Sequence, residues 1–377
     1  MRTFGVGIIG CGNISEIYFS NTALFKRLKL VACADAHHPN AEKRAAQFGV
    51  EALSVKQLLA RKDVDIVVNL TVPNAHFEVS QAALKAGKHV FTEKPLSHTA
   101  AKGRALVKLA AEKGLHLASA PDTFLGAGGQ LARGLIADGK IGKPVAGTAF
   151  LMAHGPESWH PSPDFFYQPG GGPVLDMGPY YITALVNLLG PVAKVTALTA
   201  IGNEFRTISA EGPRKGEKIV PTTPTTAMAI LEFAAGANVV ATFSWDVWKH
   251  GCAPIEIHGT LGSLRIPDPN FYGGDVEISE SGADWRAIGT TDETFGKINW
   301  PAAAPKVANF RVIGIADMAA AIERGAPARA SGDLALHVLE VLEAILVSGD
   351  KKKAIVLTKR DVSPPRLDHA QGKDLAK

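Results

Sequence analysis

Over residues 4–120, short runs of apolar, mostly β-branched residues alternate with stretches whose apolar positions recur at helical spacing, and few folds accept that order. Strands are predicted at Gly5–Ile9, Lys29–Ala34, Ile66–Thr71, His89–Thr92 and Leu115–Ser119. Helices are predicted at Ile14–Lys26, Ala41–Phe48, Val55–Ala60, Ala75–Ala86 and Ala100–Lys113. Strands this continuously apolar need cover on both faces, which a parallel sheet flanked by helices supplies. The first unit therefore reads as α/β, a doubly wound parallel sheet.

The turn after the first strand is Gly10-Cys11-Gly12-Asn13-Ile14-Ser15. Gly10 permits a tight turn, and Gly12 lets a pyrophosphate approach the backbone where a helix begins, so Gly10, Gly12, Asn13 and Ile14 are candidate dinucleotide contacts. Ser15 stands where the dinucleotide fingerprint has Gly or Ala, and its small side chain still permits close packing of helix on strand. Asp35, at the end of the second strand, answers the turn as the acidic residue that binds the adenosine ribose hydroxyls. Its carboxylate would repel a 2′-phosphate, which favours NAD; Lys43 and Arg44 further along keep NADP open.

Two more segments fall at carboxyl ends of parallel strands, where open α/β sheets bind ligands. They are Thr71-Val72-Pro73-Asn74-Ala75-His76 and Glu93-Lys94-Pro95. From them Thr71, Asn74, His76, Glu93 and Lys94 join the cofactor-binding candidates. A lysine in that place can hydrogen-bond a substrate oxygen, stabilise developing negative charge, or exchange a proton if desolvated. The plain alternative is a solvated surface charge.

Beyond about Pro121 the alternation stops. A helix is predicted over Phe124–Gly139, a strand over Pro144–Met152 and a helix over Tyr180–Leu189. Strand-like runs follow at Val192–Thr199, Ala227–Phe233, Val239–Trp245, Ile255–Gly259 and Val276–Ser279, then a core helix at Leu334–Val347. Strands gathered behind a few helices indicate an α+β unit with a large, mostly antiparallel sheet covered on one face. Its other face needs a partner, which predicts a homo-oligomer, dimer or tetramer. A chain of 377 residues suits two domains, here 1–122 and 123–377. Loop clusters His154–His160 and Trp245–His250 combine aromatic faces with polar tips, as a sugar ring requires; Trp159 and His160 are the substrate candidates, with packing the alternative.

Other classes are disfavoured. A net charge of +4 with scattered basic residues argues against nucleic acid, and Lys351–Lys353 reads as a solvated turn. No apolar run reaches the ~18 residues of a membrane span. Met1-Arg2-Thr3-Phe4 runs straight into the first strand, so no signal peptide is expected. Cys11, Cys33 and Cys252 form no zinc spacing, and unpaired thiols suit a reducing cytoplasm. No metal site is expected.

The Gly-Cys-Gly-Asn-Ile turn, Thr-x-Pro-Asn-x-x-His and Glu-Lys-Pro, in this order, resemble the Gfo/Idh/MocA family, the glucose–fructose oxidoreductase and inositol dehydrogenase group. The likeness continues through Gly170–Tyr180, Ile257–Gly262 and Ala330–Asp333, so it covers nearly the whole chain. It implies hydride transfer between nicotinamide and a secondary hydroxyl or ketone of a sugar, cyclitol or related polyol. It places Lys94 beside the nicotinamide and the reacting oxygen, gives Asp176 the task of holding substrate and acid/base, and brings the Trp159 loop close. Many members carry His four residues after that aspartate as proton carrier; this chain has Tyr180. An unperturbed phenol titrates near ~10, so Tyr180 needs a nearby cation to act as a base. The proton is therefore assigned jointly to Lys94 and Tyr180. Because Pro179 belongs in a first helical turn, the helix is predicted to begin near Asp176, with Asp176 as its N-cap. A cofactor-responsive sugar sensor without turnover would have no need of Lys94 or Asp176, and both are present. A third reading is the cycling of one tightly held cofactor between two sugars.

Overall fold

The computed structural model describes residues 1–299 and 307–377. Its first unit is a six-stranded sheet of β1 (Phe4–Ile9), β2 (Leu28–Ala34), β3 (Glu51–Leu53), β4 (Ile66–Asn69), β5 (His89–Thr92) and β6 (Leu117–Ser119). The order is β3-β2-β1-β4-β5-β6 with every pair parallel. The connecting helices are α1 (Ser15–Thr22), α2 (His38–Phe48), α3 (Val55–Ala60), α4 (His76–Lys85) and α5 (Ala100–Glu112). Residues 66–68 of β4 are fully buried, as a central strand covered on both faces must be. The chain reverses direction of sheet growth between β1 and β4, which opens a crevice at their carboxyl ends.

Two differences from the predicted elements have local causes. β4 stops at Asn69 rather than Thr71 because the buried Asn69 side chain takes over from the ladder, accepting from Thr71 N at 3.2 Å and from Thr71 Oγ1 at 2.7 Å. α1 stops at Thr22 rather than Lys26 because the following residues pair with the far end of the chain: Lys26 N donates to Leu375 O, and Phe25 bridges Ala376. The three-residue β3 is too short and too exposed to show alternation.

The second unit opens with a 3-10 turn (Thr123–Leu125) and α6 (Ala127–Ala137), separated by an extended Gly126. Then come β7 (Pro144–Met152), α7 (Gly172–Asp176), α8 (Gly178–Leu189), β8 (Val192–Ala200) and a small hairpin of β9 (Arg206–Thr207) and β10 (Lys218–Ile219). β11 (Thr226–Phe233), β12 (Asn238–Ser244), β13 (Ile255–Gly259), β14 (Gly262–Ile266), β15 (Val276–Glu280) and β16 (Arg286–Ile288) follow. The chain ends with α9 (Ile313–Arg324), α10 (Gly332–Lys351), β17 (Ile355–Val356) and α11 (His369–Leu375). Nine strands form one sheet in the order β16-β15-β14-β13-β7-β12-β11-β8-β17, antiparallel except for β7 against β12. The expected mostly antiparallel sheet is there, wider than its sequence signals showed.

One face of that sheet is closed by α8 and α10 over Val195, Ala197, Ala229, Leu231 and Phe243. The other face keeps Leu198, Met228, Ile230 and Val240 between 45% and 68% exposed. α10 also packs on α5 of the first unit, and Ser331 bridges Ala118, so the core runs unbroken between the two units. No helix among the described residues is long and apolar enough to cross a membrane.

Candidate active site

The glycine turn at the carboxyl end of β1 has the geometry a dinucleotide requires. Gly10 sits at φ 102°, and a Cβ there would lie 2.5 Å from the Leu70 carbonyl carbon, so only glycine fits. A Cβ on Gly12 would meet nothing within 4 Å, leaving space for a phosphate against the backbone. Helix α1 begins with no side-chain cap, so its first amides are available to an anion. Asn13, Ile14 and Asn74 are exposed along this edge, with Val72 offering an apolar surface. These residues fit a dinucleotide, with pyrophosphate at the α1 amides.

Asp35 shapes the turn as well as its polarity. Its Oδ2 accepts from Cys11 N at 2.7 Å and its Oδ1 from His37 N at 2.8 Å, which fixes the carboxylate at the mouth of the crevice with lone pairs to spare. Arg44, the cation that kept NADP open, is turned inward. Its guanidinium donates to Ser15 Oγ at 3.2 Å and to Glu16 Oε2 and Gln47 Oε1 at 2.8 Å each. Lys43 stays on the surface.

His76 is placed differently from the sequence expectation. It is buried, with Nδ1 2.7 Å from Pro95 O and Nε2 2.9 Å from Thr71 O, so both ring nitrogens face protein carbonyls. Burial pushes its pKa down, and it clasps the 71–76 loop to the Lys94-Pro95 turn instead of meeting a ligand. Asn69 works beside it, donating to His76 O and to Ser80 Oγ at 3.0 Å each. Glu93 is also a brace: Oε1 accepts from the buried Tyr18 hydroxyl at 2.6 Å, and Oε2 from Lys94 N at 2.9 Å. Thr71 is half-buried and spends its hydroxyl on Asn69.

Lys94, Asp176 and Tyr180, far apart in the sequence, come together. Lys94 Nζ donates to Asp176 Oδ1 at 2.8 Å and to the Asp176 carbonyl at 2.5 Å, and lies 5.3 Å from the centre of the Tyr180 ring. Burial alone would lower the Lys94 pKa; the Asp176 carboxylate and Tyr180 outweigh it and hold the group above its ordinary value, as an ammonium. An ammonium held in this way can hydrogen-bond and polarise a substrate oxygen.

The expected N-cap role of Asp176 is overturned. Asp176 is the last residue of α7; α8 starts afresh at Gly178 with Pro179 in its first turn, and Met177 takes the cap position without a side-chain bond. Pro179 forces the break, since its ring permits no continuous helix through it. The Asp176 carbonyl, one of the unpaired acceptors at the end of α7, is thereby presented to Lys94.

Trp159 and His160 are not joined to these three by any hydrogen bond or ring contact among the described residues. Trp159 is 65% exposed and packs edge-on against His160 and Phe166. The two aromatic clusters of the sequence do meet each other: the His154 ring stacks on Trp248 at 3.7 Å. Beneath them, Arg206 joins Glu157 at 2.6 Å and Asp246 at 2.7 Å, anchoring the loop.

Arg311 was missed. Its Nη2 lies 3.5 Å from the Tyr180 hydroxyl. It stands in an apolar stretch, Phe310-Arg311-Val312-Ile313, that carries no motif, and a single arginine there reads as a helix-end surface charge. Among the described residues, no group of three or more His, Cys, Asp or Glu side chains is arranged to hold a metal ion.

Comparison with known proteins agrees with this geometry. Residues 4–120 match the model of an oxidoreductase family with NAD-binding Rossmann fold, and residues 130–265 match the GFO/IDH/MocA C-terminal domain. Inositol 2-dehydrogenase of Rhizobium meliloti (strain 1021) is 26% identical over 355 residues, covering 94% of this chain and 99% of that protein. The 1,5-anhydro-D-fructose reductase of Ensifer adhaerens is 31% identical over 224 residues, 58% of this chain and 61% of that one. Among solved structures, a levoglucosan dehydrogenase in complex with NADH and L-sorbose superposes with a TM-score of 0.80 at 22% identity, covering 96% of this chain and 100% of that one. With both family models matched in order and the fold shared end to end, the chain belongs to the Gfo/Idh/MocA oxidoreductases, built on an NAD-binding Rossmann domain.

Proposed function

We propose that this oxidoreductase interconverts a secondary hydroxyl and a ketone on a sugar, cyclitol or related polyol, with NAD preferred over NADP. The observation that carries the reading is the Lys94 ammonium, held charged by Asp176 beside Tyr180 at the carboxyl end of β5. Bound nicotinamide accepts or donates the hydride; the chain supplies position and field. Lys94 donates a hydrogen bond to the reacting oxygen and stabilises its negative charge. Tyr180 exchanges the hydroxyl proton. Asp176 orients Lys94 and adds a carboxylate for a neighbouring substrate hydroxyl. Trp159 and His160, on the loop between β7 and α7, are assigned to the outer rim of the substrate space, where an exposed ring can cover the apolar face of a sugar.

The names of the relatives support the substrate class: an inositol 2-dehydrogenase, a 1,5-anhydro-D-fructose reductase and a levoglucosan dehydrogenase. Residues 1–122 serve as the cofactor unit and 123–377 as the unit for substrate and assembly. The assembly is a homo-oligomer through the open sheet face. There Met228 faces Leu198 across one strand pair, and Ile230 faces Val240 across the next, which makes a contiguous apolar patch. The reading places the enzyme in the cytoplasm. The test is to incubate purified protein with NAD and a panel of cyclitols, aldoses, anhydrosugars and sugar acids, following nicotinamide absorbance. Reduction of NAD by at least one ring polyol is expected; a panel without turnover in either direction contradicts the reading.

A further inference from the structure

The turn that carries Arg311 is held from several directions. Val312, fully buried and β-branched, adopts φ 94°, a left-handed conformation that costs such a residue on the order of 1–3 kcal/mol. The surroundings impose it. Asn21 of α1, in the cofactor unit, donates at 3.0 Å to both Asn309 O and Arg311 O. Asn299 and Asn309 exchange two bonds, Asn299 Nδ2 to Asn309 O at 2.9 Å and Asn309 N to Asn299 Oδ1 at 2.7 Å. Beyond the turn, Gly314 N donates to the buried Asp122 carboxylate at 2.9 Å. Strain over-determined in this way fixes where the Arg311 side chain goes.

It goes into a cluster of tyrosines at the junction of the two units. Its hydrogen-bond partners are Asn309 Oδ1 at 3.3 Å and the Tyr180 hydroxyl at 3.5 Å, and it pairs with no carboxylate among the described residues. A half-buried guanidinium with no hydrogen-bonded carboxylate gains from negative charge on a nearby oxygen. We propose that Arg311 is a positioning residue for the proton transfer: its guanidinium orients the Tyr180 hydroxyl and stabilises negative charge on that oxygen, while Lys94 serves the substrate oxygen. This rests on the hydride-transfer reading above. In the oxidation direction the substrate O–H proton would pass to Tyr180 in its phenolate form, and a bound oxidised nicotinamide would be the acceptor for the carbinol C–H hydride, leaving the ketone. Reduction is the reverse.

The charged and titratable groups facing Tyr180 fit this division. Lys94 lies over its ring with Asp176 behind, Arg311 lies at its hydroxyl, and Tyr272 stands near with Asp122 bonded to it. Glu93 and Tyr18 lie behind Arg311. Burial alone would lower the Arg311 pKa, but its surroundings raise it, and a guanidinium stays charged throughout the working pH range.

The experiment measures the pH dependence of polyol oxidation for wild type, Arg311→Met and Arg311→Lys, with tyrosinate ultraviolet absorbance titrated in parallel and the Tyr180→Phe signal subtracted. If the guanidinium stabilises negative charge on the Tyr180 oxygen, both the alkaline rise in rate and the tyrosinate absorbance step should move to higher pH in Arg311→Met. Arg311→Lys should restore part of the shift, and adding Arg311→Met to Tyr180→Phe should slow the enzyme little further. If Arg311→Met does not fold, Arg311→Gln keeps a donor without the charge and is read in its place. An unmoved absorbance step overturns the role of Arg311, and so does an unmoved rate profile with Tyr180 shown to be the base. The absorbance titration needs no turnover, so it decides the point even if no substrate is oxidised.

Discussion

On the proposed reading, Asp35 and Arg44 set the cofactor preference between them. Asp35 presents a carboxylate at the mouth of the crevice, which would repel a 2′-phosphate, and Arg44 has spent its guanidinium on Ser15, Glu16 and Gln47. Wild-type protein should therefore use NAD more efficiently than NADP, and Asp35→Ser should narrow the gap, as measured by kcat/KM for each cofactor with one substrate. A wild-type preference for NADP would show that Lys43 or another surface cation overrides the carboxylate. At this scale the sequence was most legible where a motif is contiguous. Gly10 to Ser15 and Glu93 to Pro95 stood out by their place at strand ends, and Asp176 to Tyr180 through the family resemblance. His76 and Glu93 were placed near the right site, but whether a side chain faces ligand or protein depends on its tertiary neighbours: for His76, two carbonyls; for Glu93, Tyr18 and its own Lys94 amide. Arg311 could not be read at all. Its conformation comes from contacts with Asn21 and Asn299, distant in the chain, and the strained residue beside it is a valine where a glycine would have signalled the turn.

Helices and strands positioned the site where their ends are controlled by side chains that periodicity does not see. Asn69 ends β4 and supports the 71–76 loop; Pro179 separates α7 from α8 and turns the Asp176 carbonyl to Lys94. Predicted elements were right in kind and drifted at these boundaries for that reason. α9 was missed although Ile315, Met318 and Ile322 recur along it at helical spacing. α10 carries a testable consequence of its own. His337 is buried there, accepting from Val192 N at 3.0 Å, and burial pushes its pKa from 6.5 down to about 4. Between those values the unfolded chain takes up a proton that the folded chain refuses, so stability present above pH 6.5 is lost as pH falls toward 4 and levels off below. Thermal unfolding across that window should show the decline, and His337→Gln, which retains an acceptor and does not titrate, should flatten it. An unchanged slope in the variant would remove His337 as a cause.

As a whole molecule, the protein is a cofactor crevice closed by a second unit whose sheet shows an apolar back to solvent. The sequence indicated an uncovered face through the grouping of strands behind a few helices, and the structure shows which residues form it: Met228 and Ile230 point opposite to the buried Ala229 and Leu231. Light scattering should report an oligomer, and Ile230→Glu, which places charge in the patch, should yield smaller species with retained fold. A wild-type monomer would contradict the assembly. The account as a whole turns on one division of labour: the glycine turn and Asp35 bind the dinucleotide, and Lys94 acts on the substrate oxygen. Measuring NADH affinity and turnover on the same Lys94→Ala protein tests it most directly. Affinity within a few-fold of wild type with turnover reduced at least ~10²-fold is the expected result. Full turnover in that variant, or loss of cofactor binding in proportion to loss of rate, would contradict it.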